Sequence, residues 1–263
     1  MLPTVFVGHG AGPFPLLNHP HHHGLTRTWT PGTPMWSVMH DPAVRALVVL
    51  SAHHESADAA VDVMMDEQPE LLFDYGGFPP ETYQYSMDNP GSPGIGRRVL
   101  QLLDGVGIPA RSQLGRGRDH GLFVPMIGLG VSLKRPTLPV ISVSLRGPAS
   151  YRSGLTEDHL ALGRALAPLR DEGVLLVGSG NTIHGRCAPA QAKAFSDHLQ
   201  GLAAEGPAAF ERWDEGPHLS VCHPRPEHLV PLLVCAAAAP HATVESIEHV
   251  FMGFTANHFI FEG

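Results

Sequence analysis

Val174-Leu-Leu-Val-Gly-Ser-Gly-Asn181-Thr-Ile-His184 is the stretch that decides the fold. A short apolar run broken by glycines has the length and composition of a buried strand, and a histidine follows it closely. The same plan recurs at Thr4-Val-Phe-Val-Gly-His9-Gly10 and at Ala46-Leu-Val-Val-Leu-Ser-Ala-His53-His54-Glu55. Further strands are predicted from Val61 to Met65 and from Leu138 to Leu145. Between them lie helical patterns. One opens on Ser92 as N-cap with Pro93 in the first position, sets Ile95, Val99, Leu102 and Leu103 on one face and stops at Gly105. Another is predicted from about Thr156 to Arg170, with Glu157 and Asp158 in its first turn. Strands alternating with helices predict an α/β fold whose central, mostly parallel or mixed sheet is flanked by helices on both faces.

Three of these strands deliver a histidine just past their C-terminal ends. In open α/β sheets ligands bind in the crevice outside those ends, so His9, His53 and His184 are predicted to converge although the sequence separates them widely. Histidine is also the compositional outlier, with 18 residues against 17 lysines and arginines. Two more lie in punctuated segments, Arg118-Asp119-His120-Gly121 before an apolar helix and His223-Pro-Arg-Pro-Glu227-His228 before Leu229. Pro226 suits the first position of a helix, which would put His228 in the first turn, whereas Pro231 either kinks that turn or marks a later start. Spacing leaves open whether Glu227 or His228 faces the site. Several histidines without a thiolate cluster suit a borderline metal, Fe(II) or Zn(II), and three protein ligands with open positions would make a catalytic centre. The tract His19-Pro-His-His-His23 lies in a Pro/Gly-rich stretch from Gly10 to Pro34, read as a long loop, and is expected to be exposed and functionally neutral.

Composition narrows the function classes. The 263 residues are 43% hydrophobic with both charge signs interspersed, which excludes a disordered chain. An α/β chain of this length buries roughly 70 to 75% of its unfolded surface as one unit, so a single catalytic domain over residues 1–263 is expected. No apolar run reaches the about 18 residues that span a bilayer. Met1 leads directly into the Pro3 to Val7 run with no basic region or small-residue cleavage site, so no secretory leader is read and a cytoplasmic location is expected. The net charge of -8 and scattered basic residues exclude a nucleic-acid partner. Cys187, Cys222 and Cys235 lack CxxC spacing and are odd in number, so reduced, at least partly buried thiols are expected. Gly178-Ser179-Gly180 lacks the spacing of a nucleophile elbow, Gly8 to Gly12 is no phosphate loop, and no dinucleotide fingerprint occurs. Oligomeric state is not readable.

Taken in order, Gly8-His9-Gly10, Ser51-Ala-His53, Asp74-Tyr-Gly-Gly-Phe78-Pro, Pro90-Gly-Ser-Pro93, Asp119-His120-Gly121, Gly178-Ser-Gly-Asn181-Thr-Ile-His184 and Pro226-Glu-His228 resemble the DOPA dioxygenase type of class III extradiol dioxygenases, related to the protocatechuate 4,5-dioxygenase catalytic subunit. The resemblance runs from His9 to Leu233. It implies one divalent metal, Fe(II) for ring cleavage with Zn(II) as the competing ion, held by His9, His53 and His228. It implies that His184 acts as acid/base, or approaches the metal as a fourth ligand, and that His120 stands behind as a second catalytic histidine. His53 is favoured over His54 because it completes Ser-Ala-His. Asn181 and Phe78 are candidate substrate-binding residues, with a turn-forming role as the alternative for both. The implied partners are a small aromatic diol and O2, and the implied product is a muconic semialdehyde. Two rivals share the scaffold: a zinc hydrolase, and a non-catalytic metal-binding protein of the Memo type.

Overall fold

The computed structural model describes residues 1–147 and 154–263. Among these, the strands in chain order are β1 (Thr4–Gly8), β2 (Ala46–Ser51), β3 (Val61–Met64), β4 (Ala110–Gln113), β5 (Val140–Ser142), β6 (Val174–Gly180), β7 (Thr243–Phe251) and β8 (Phe254–Glu262). The helices are α1 (His23–Arg27), α2 (Pro34–Met39), α3 (Pro93–Asp104), α4 (His120–Gly128), α5 (Val131–Lys134), α6 (Leu155–Leu166), α7 (Pro189–Glu205), α8 (Leu219–Cys222) and α9 (Val230–Ala238).

Six strands form the central sheet in the order β5-β2-β6-β1-β8-β7, while β3 and β4 pair separately. The strands β5, β2, β6 and β1 are parallel, and β8 runs antiparallel to β1 and to β7. Residues along β2 and β6 alternate between two apolar clusters. Leu47, Val49, Leu175 and Val177 pack with Leu122, Phe123 and Phe195 from α4 and α7, whereas Ala46, Val48, Leu50, Val174 and Leu176 pack with Val99, Leu162 and Val234 from α3, α6 and α9. That alternation is the period of a pleated strand, and it explains why these segments read as unbroken apolar runs: both faces are covered.

Register decides where the histidines emerge. Gly8 of β1 lies opposite Gly180 of β6, and Ser51 of β2 opposite Ser179, so three parallel strands end at one level. The Ser92 hydroxyl caps α3 by accepting from the Ile95 amide, and Asp119 caps α4 in the same way through Leu122.

Several expectations need correction. The predicted strand from Leu138 to Leu145 shrinks to Val140–Ser142. The long helix begins at Leu155, and its last stretch, Ala167–Arg170, tightens into a 3-10 turn. The supposed loop from Gly10 to Pro34 holds a 3-10 turn at Pro20–His22 and the whole of α1, and Pro34 itself opens α2 under the Thr33 hydroxyl. Of the two helix starts that the sequence left open, Pro226 is not used and the later one is: α9 begins at Val230 with Pro231 in its first turn. The β7–β8 hairpin was not foreseen. Its outer strand alternates exposed with partly or fully buried positions, and its turn uses Met252 and Gly253, both at positive φ.

Candidate metal centre

The residues after β6 form a platform for the others. A Cβ on Gly180 would lie 1.9 Å from the His228 carbonyl oxygen, so only glycine lets the two backbones touch, and the next amide, Asn181, donates to that oxygen at 3.0 Å. His228 is thereby docked against the end of β6 although it stands in a turn ahead of α9. Asn181 also holds the start of the β1 exit: its side-chain oxygen accepts from the Gly10 amide at 3.1 Å and its side-chain nitrogen donates to the Gly10 carbonyl at 2.9 Å. The His9 amide donates to Gly180 at 3.0 Å, carrying the β1–β6 ladder one step further.

His9, His53, His120 and His228 come together here, with ring centroids 5.1 Å apart for His9–His53, 5.5 Å for His9–His120, 5.2 Å for His9–His228 and 4.8 Å for His53–His228. His9 and His228 are buried, and His53 keeps a partly exposed edge. Their tautomers follow from their partners. The Ser179 hydroxyl donates to the Gly121 carbonyl, so its oxygen accepts from His9 Nδ1 at 3.1 Å, and His9 Nε2 is left buried with no partner. His228 Nδ1 donates to Glu227 Oε1 at 2.9 Å, and His53 Nδ1 faces Asp74 Oδ2 at 3.5 Å. With the proton of each ring on the Nδ1 that faces its carboxylate, the two Nε2 lone pairs face each other at 3.2 Å. Two facing lone pairs repel unless a cation takes both, and an imidazole whose Nδ1 is held by an acceptor is the usual form of a metal-bound histidine. The residues fit a divalent ion.

Electrostatics point the same way. Burial, followed by the neighbouring histidines, holds the pKa of His9 well below its ordinary value. Burial likewise holds His228 well below the ordinary value and brings His53 down to about 4, so all three are neutral near pH 7, the state that ligates metal. Burial would raise the Glu227 pKa, but the pairing with His184 and His228 outweighs it and holds the carboxyl well below the usual carboxylate range. Asp74 behaves alike, its burial outweighed by the hydrogen bond from His120.

His120 occupies the first turn of α4, and both its amide and Nδ1 reach Asp74 Oδ1 at 2.9 Å. His184 stacks on His228 at 3.3 Å between centroids with a 14° interplanar angle, and its Nδ1 lies 3.4 Å from Glu227 Oε1. It is the open member of the group, with 44% of its side chain exposed. The donor atoms of His9, His53 and His120 all lie within 4.8 Å of one another, as do those of His184, Glu227 and His228. The His53–His228 contact joins the two sets.

The doublet at His53-His54 separates cleanly. His54 turns away: its Nδ1 accepts from the Ser142 hydroxyl at 2.7 Å and its Nε2 donates to Gln113 Oε1 at 2.9 Å, so neither nitrogen is free. The His19 to His23 tract corrects an expectation. His21 is exposed, but His22 is 1% exposed, accepts from the Ala11 amide at 3.2 Å and stacks on Phe14. It has a structural place rather than none. All three cysteines are free and buried.

Above the histidines opens a cavity of about 740 Å³, walled by Tyr75, Phe78, Ile183, Phe251 and Phe254. Asp74 and Ser179, which orient ligand-type nitrogens, stand in the ordered motifs without a role that spacing could assign, and the hairpin residues Phe251 and Phe254 lie outside every motif. Glu227 and Asp74 carried a signal, since each stands inside a motif next to a histidine or a glycine turn. The hairpin carried none, because chain distance hides which aromatic residues close a pocket.

Residues 28–259 match the family described as the catalytic LigB subunit of aromatic ring-opening dioxygenase. The chain belongs to this family. Relatives of the LigB chain described here include a 4,5-DOPA dioxygenase extradiol of Beta vulgaris, 33% identical over 78% of this chain and 77% of that one, and a protein of the same description from Escherichia coli K12, 31% identical over 90% and 85%. A crystal structure of an uncharacterized Escherichia coli K12 protein superposes with a TM-score of 0.72 at 25% identity, covering 99% of this chain and all of the other. The class expected from the ordered motifs, an extradiol ring-opening dioxygenase of the DOPA dioxygenase type, is therefore the class found. LigB dioxygenases are metal-dependent, in keeping with the donor chemistry above. No helix among the described residues is long and apolar enough to cross a membrane.

Proposed function

We propose that the chain, acting as one catalytic domain, opens the ring of a catecholic diol beside its two hydroxyls, with O2 as co-substrate and a muconic semialdehyde as product. One Fe(II) is held by His9, His53 and His228. The observation that carries this reading is the facing pair of Nε2 atoms on His53 and His228, each ring backed by a carboxylate, beneath a largely apolar cavity of small-molecule size. When bound, the ion lowers the pKa of a diol hydroxyl and provides the redox centre for O2 chemistry.

The protein's own groups handle the rest. His184 lines the cavity with Nδ1 turned to Glu227, which leaves Nε2 as the base that takes one hydroxyl proton from the diol. His120, tied through Nδ1 to Asp74, keeps its Nε2 as a second proton-handling atom for the rearrangement that opens the ring. Phe78 and Ile183 hold the flat substrate and keep water away from the ring. Asn181 contributes by position, since its amide is fully occupied by Gly10.

The test is anaerobic reconstitution with Fe(II), then exposure to air with a panel of catechols, following the yellow ring-opened product and O2 uptake. Turnover of at least one catechol with matching O2 consumption is expected. No turnover across the panel, with zinc retained in place of iron, would move the assignment to a hydrolase or a metal-binding protein.

A further inference from the structure

The mouth of the cavity carries a charge that the ring-opening chemistry does not use. Arg186 is exposed, lines the cavity, and has no ion-pair or hydrogen-bond partner among the described residues. It follows His184 by two residues, so its Cα lies within roughly 7 Å of the Cα of that histidine. Its neighbours fix its position. A Cβ on Gly185 would meet the Val221 carbonyl oxygen at 1.9 Å, so this backbone is pressed against α8, and Cys187 on the other side is buried. The arginine is therefore the single outward member of an anchored tripeptide. No other arginine or lysine, and no aspartate or glutamate, lines the cavity among the described residues.

We propose that Arg186 is a specificity residue that selects catechols bearing a short tail ending in a carboxylate, and disfavours those whose tail carries an ammonium. This rests on the ring-opening reading of the same cavity. A diol seated on the histidines presents its ring to the apolar walls and directs a ring substituent toward the mouth. A guanidinium without a partner offers a two-pronged donor to a carboxylate there, the geometry in which arginine binds best. An ammonium meets the repulsion of Arg186 with no carboxylate on the cavity lining to offset it among the described residues, since Asp74 and Glu227 pair with histidines and do not line the cavity. In a chain of net charge -8, a lone cation at this opening also makes local attraction of an acid possible against the overall field.

The test compares 3,4-dihydroxyphenylacetate (anionic), 4-methylcatechol (neutral) and dopamine (cationic) on the Fe(II)-reconstituted protein and its Arg186→Gln and Arg186→Lys variants. Calorimetric binding to the Zn(II)-loaded protein is run beside it. The wild type should rank acid over neutral over cation. Arg186→Gln should cut the acid-to-neutral ratio of kcat/KM by about tenfold, through KM, with the same change in the binding ratio, and Arg186→Lys should restore part of it. An unchanged acid-to-neutral ratio in Arg186→Gln, or a preference for dopamine in the wild type, overturns the assignment of Arg186 while leaving ring opening intact. Absence of turnover with all three compounds would instead bring down the ring-opening reading, and this proposal with it.

Discussion

His53 and His54 are neighbours in sequence, and burial lowers the pKa of each to about 4, yet they belong to two regions with opposite logic. His54 faces β4 and β5, where both its nitrogens have partners in Gln113 and Ser142. His159 and His258 are closed in the same way: His159 donates to the Leu155 carbonyl and accepts from the Arg146 amide, and His258 accepts from the Gly8 amide and pairs with the Thr28 hydroxyl. At the ends of β1, β2 and β6 the pattern reverses. His9 and His228 are fixed by hydrogen bonds at Nδ1, His53 turns its Nδ1 toward Asp74 at 3.5 Å, and the Nε2 atoms of all three point into the group. Burial does not separate the two groups, and one unpartnered nitrogen does not either. His22 and His223 each have an Nδ1 without a partner, but neither joins a donor cluster among the described residues. A site is marked by open nitrogens that converge.

That contrast can be broken in five ways, from the largest expected effect down. His228→Ala should abolish retention of Fe(II) or Zn(II) through gel filtration; full retention would remove His228 from the ligand set. His184→Ala should lower turnover by about 10² to 10⁴-fold, the usual contribution of a general base, while most of the metal stays bound. Loss of the metal would make His184 a ligand and enlarge the open group. Glu227→Gln removes the acceptor behind His228 and should weaken metal affinity by about 10 to 100-fold in a chelator competition. An unchanged affinity would mean that the second nitrogen needs no anchor.

The closed group is tested by acid. His159 titrates at about 4 in the folded chain because burial disfavours its charged form, against 6.5 when unfolded. Between these values the unfolded state binds the extra proton, so its contribution to stability is complete above pH 6.5 and is lost as the pH falls through 4, amounting to about 3 kcal/mol. Denaturant unfolding of the metal-free protein at pH 7 and pH 4.5 should show a steeper loss in the wild type than in His159→Gln. Equal losses would mean that His159 is not the neutral, closed residue its partners indicate. The smallest effect is expected for His54→Leu, which strands Ser142 and Gln113 and should cost about 1 to 3 kcal/mol of stability with metal content per folded molecule unchanged. A specific loss of metal from this variant would erase the distinction between the two neighbours.

Much of this was legible in the chain. Runs such as Ala46 to Leu50 and Val174 to Val177 could be read as buried strands because apolar residues on both faces leave no polar alternation, and the Ser92-Pro93 entry marks a helix start through local chemistry alone. The convergence of His9, His53 and His184 was also readable, since parallel strands place their C-terminal ends together. What the chain could not disclose is pairing between distant residues. Only the folded sheet shows that Asp74 reaches His53 and His120, that Ser179 sets the tautomer of His9, and that the β7–β8 hairpin brings Phe251 and Phe254 over the site. The sequence by itself determined the strand-end histidines and the motif order, because those depend on local pattern and covalent spacing. Tertiary structure alone decided which nitrogens stay open and where Arg186 stands, because an unpartnered atom is defined by everything that fails to reach it.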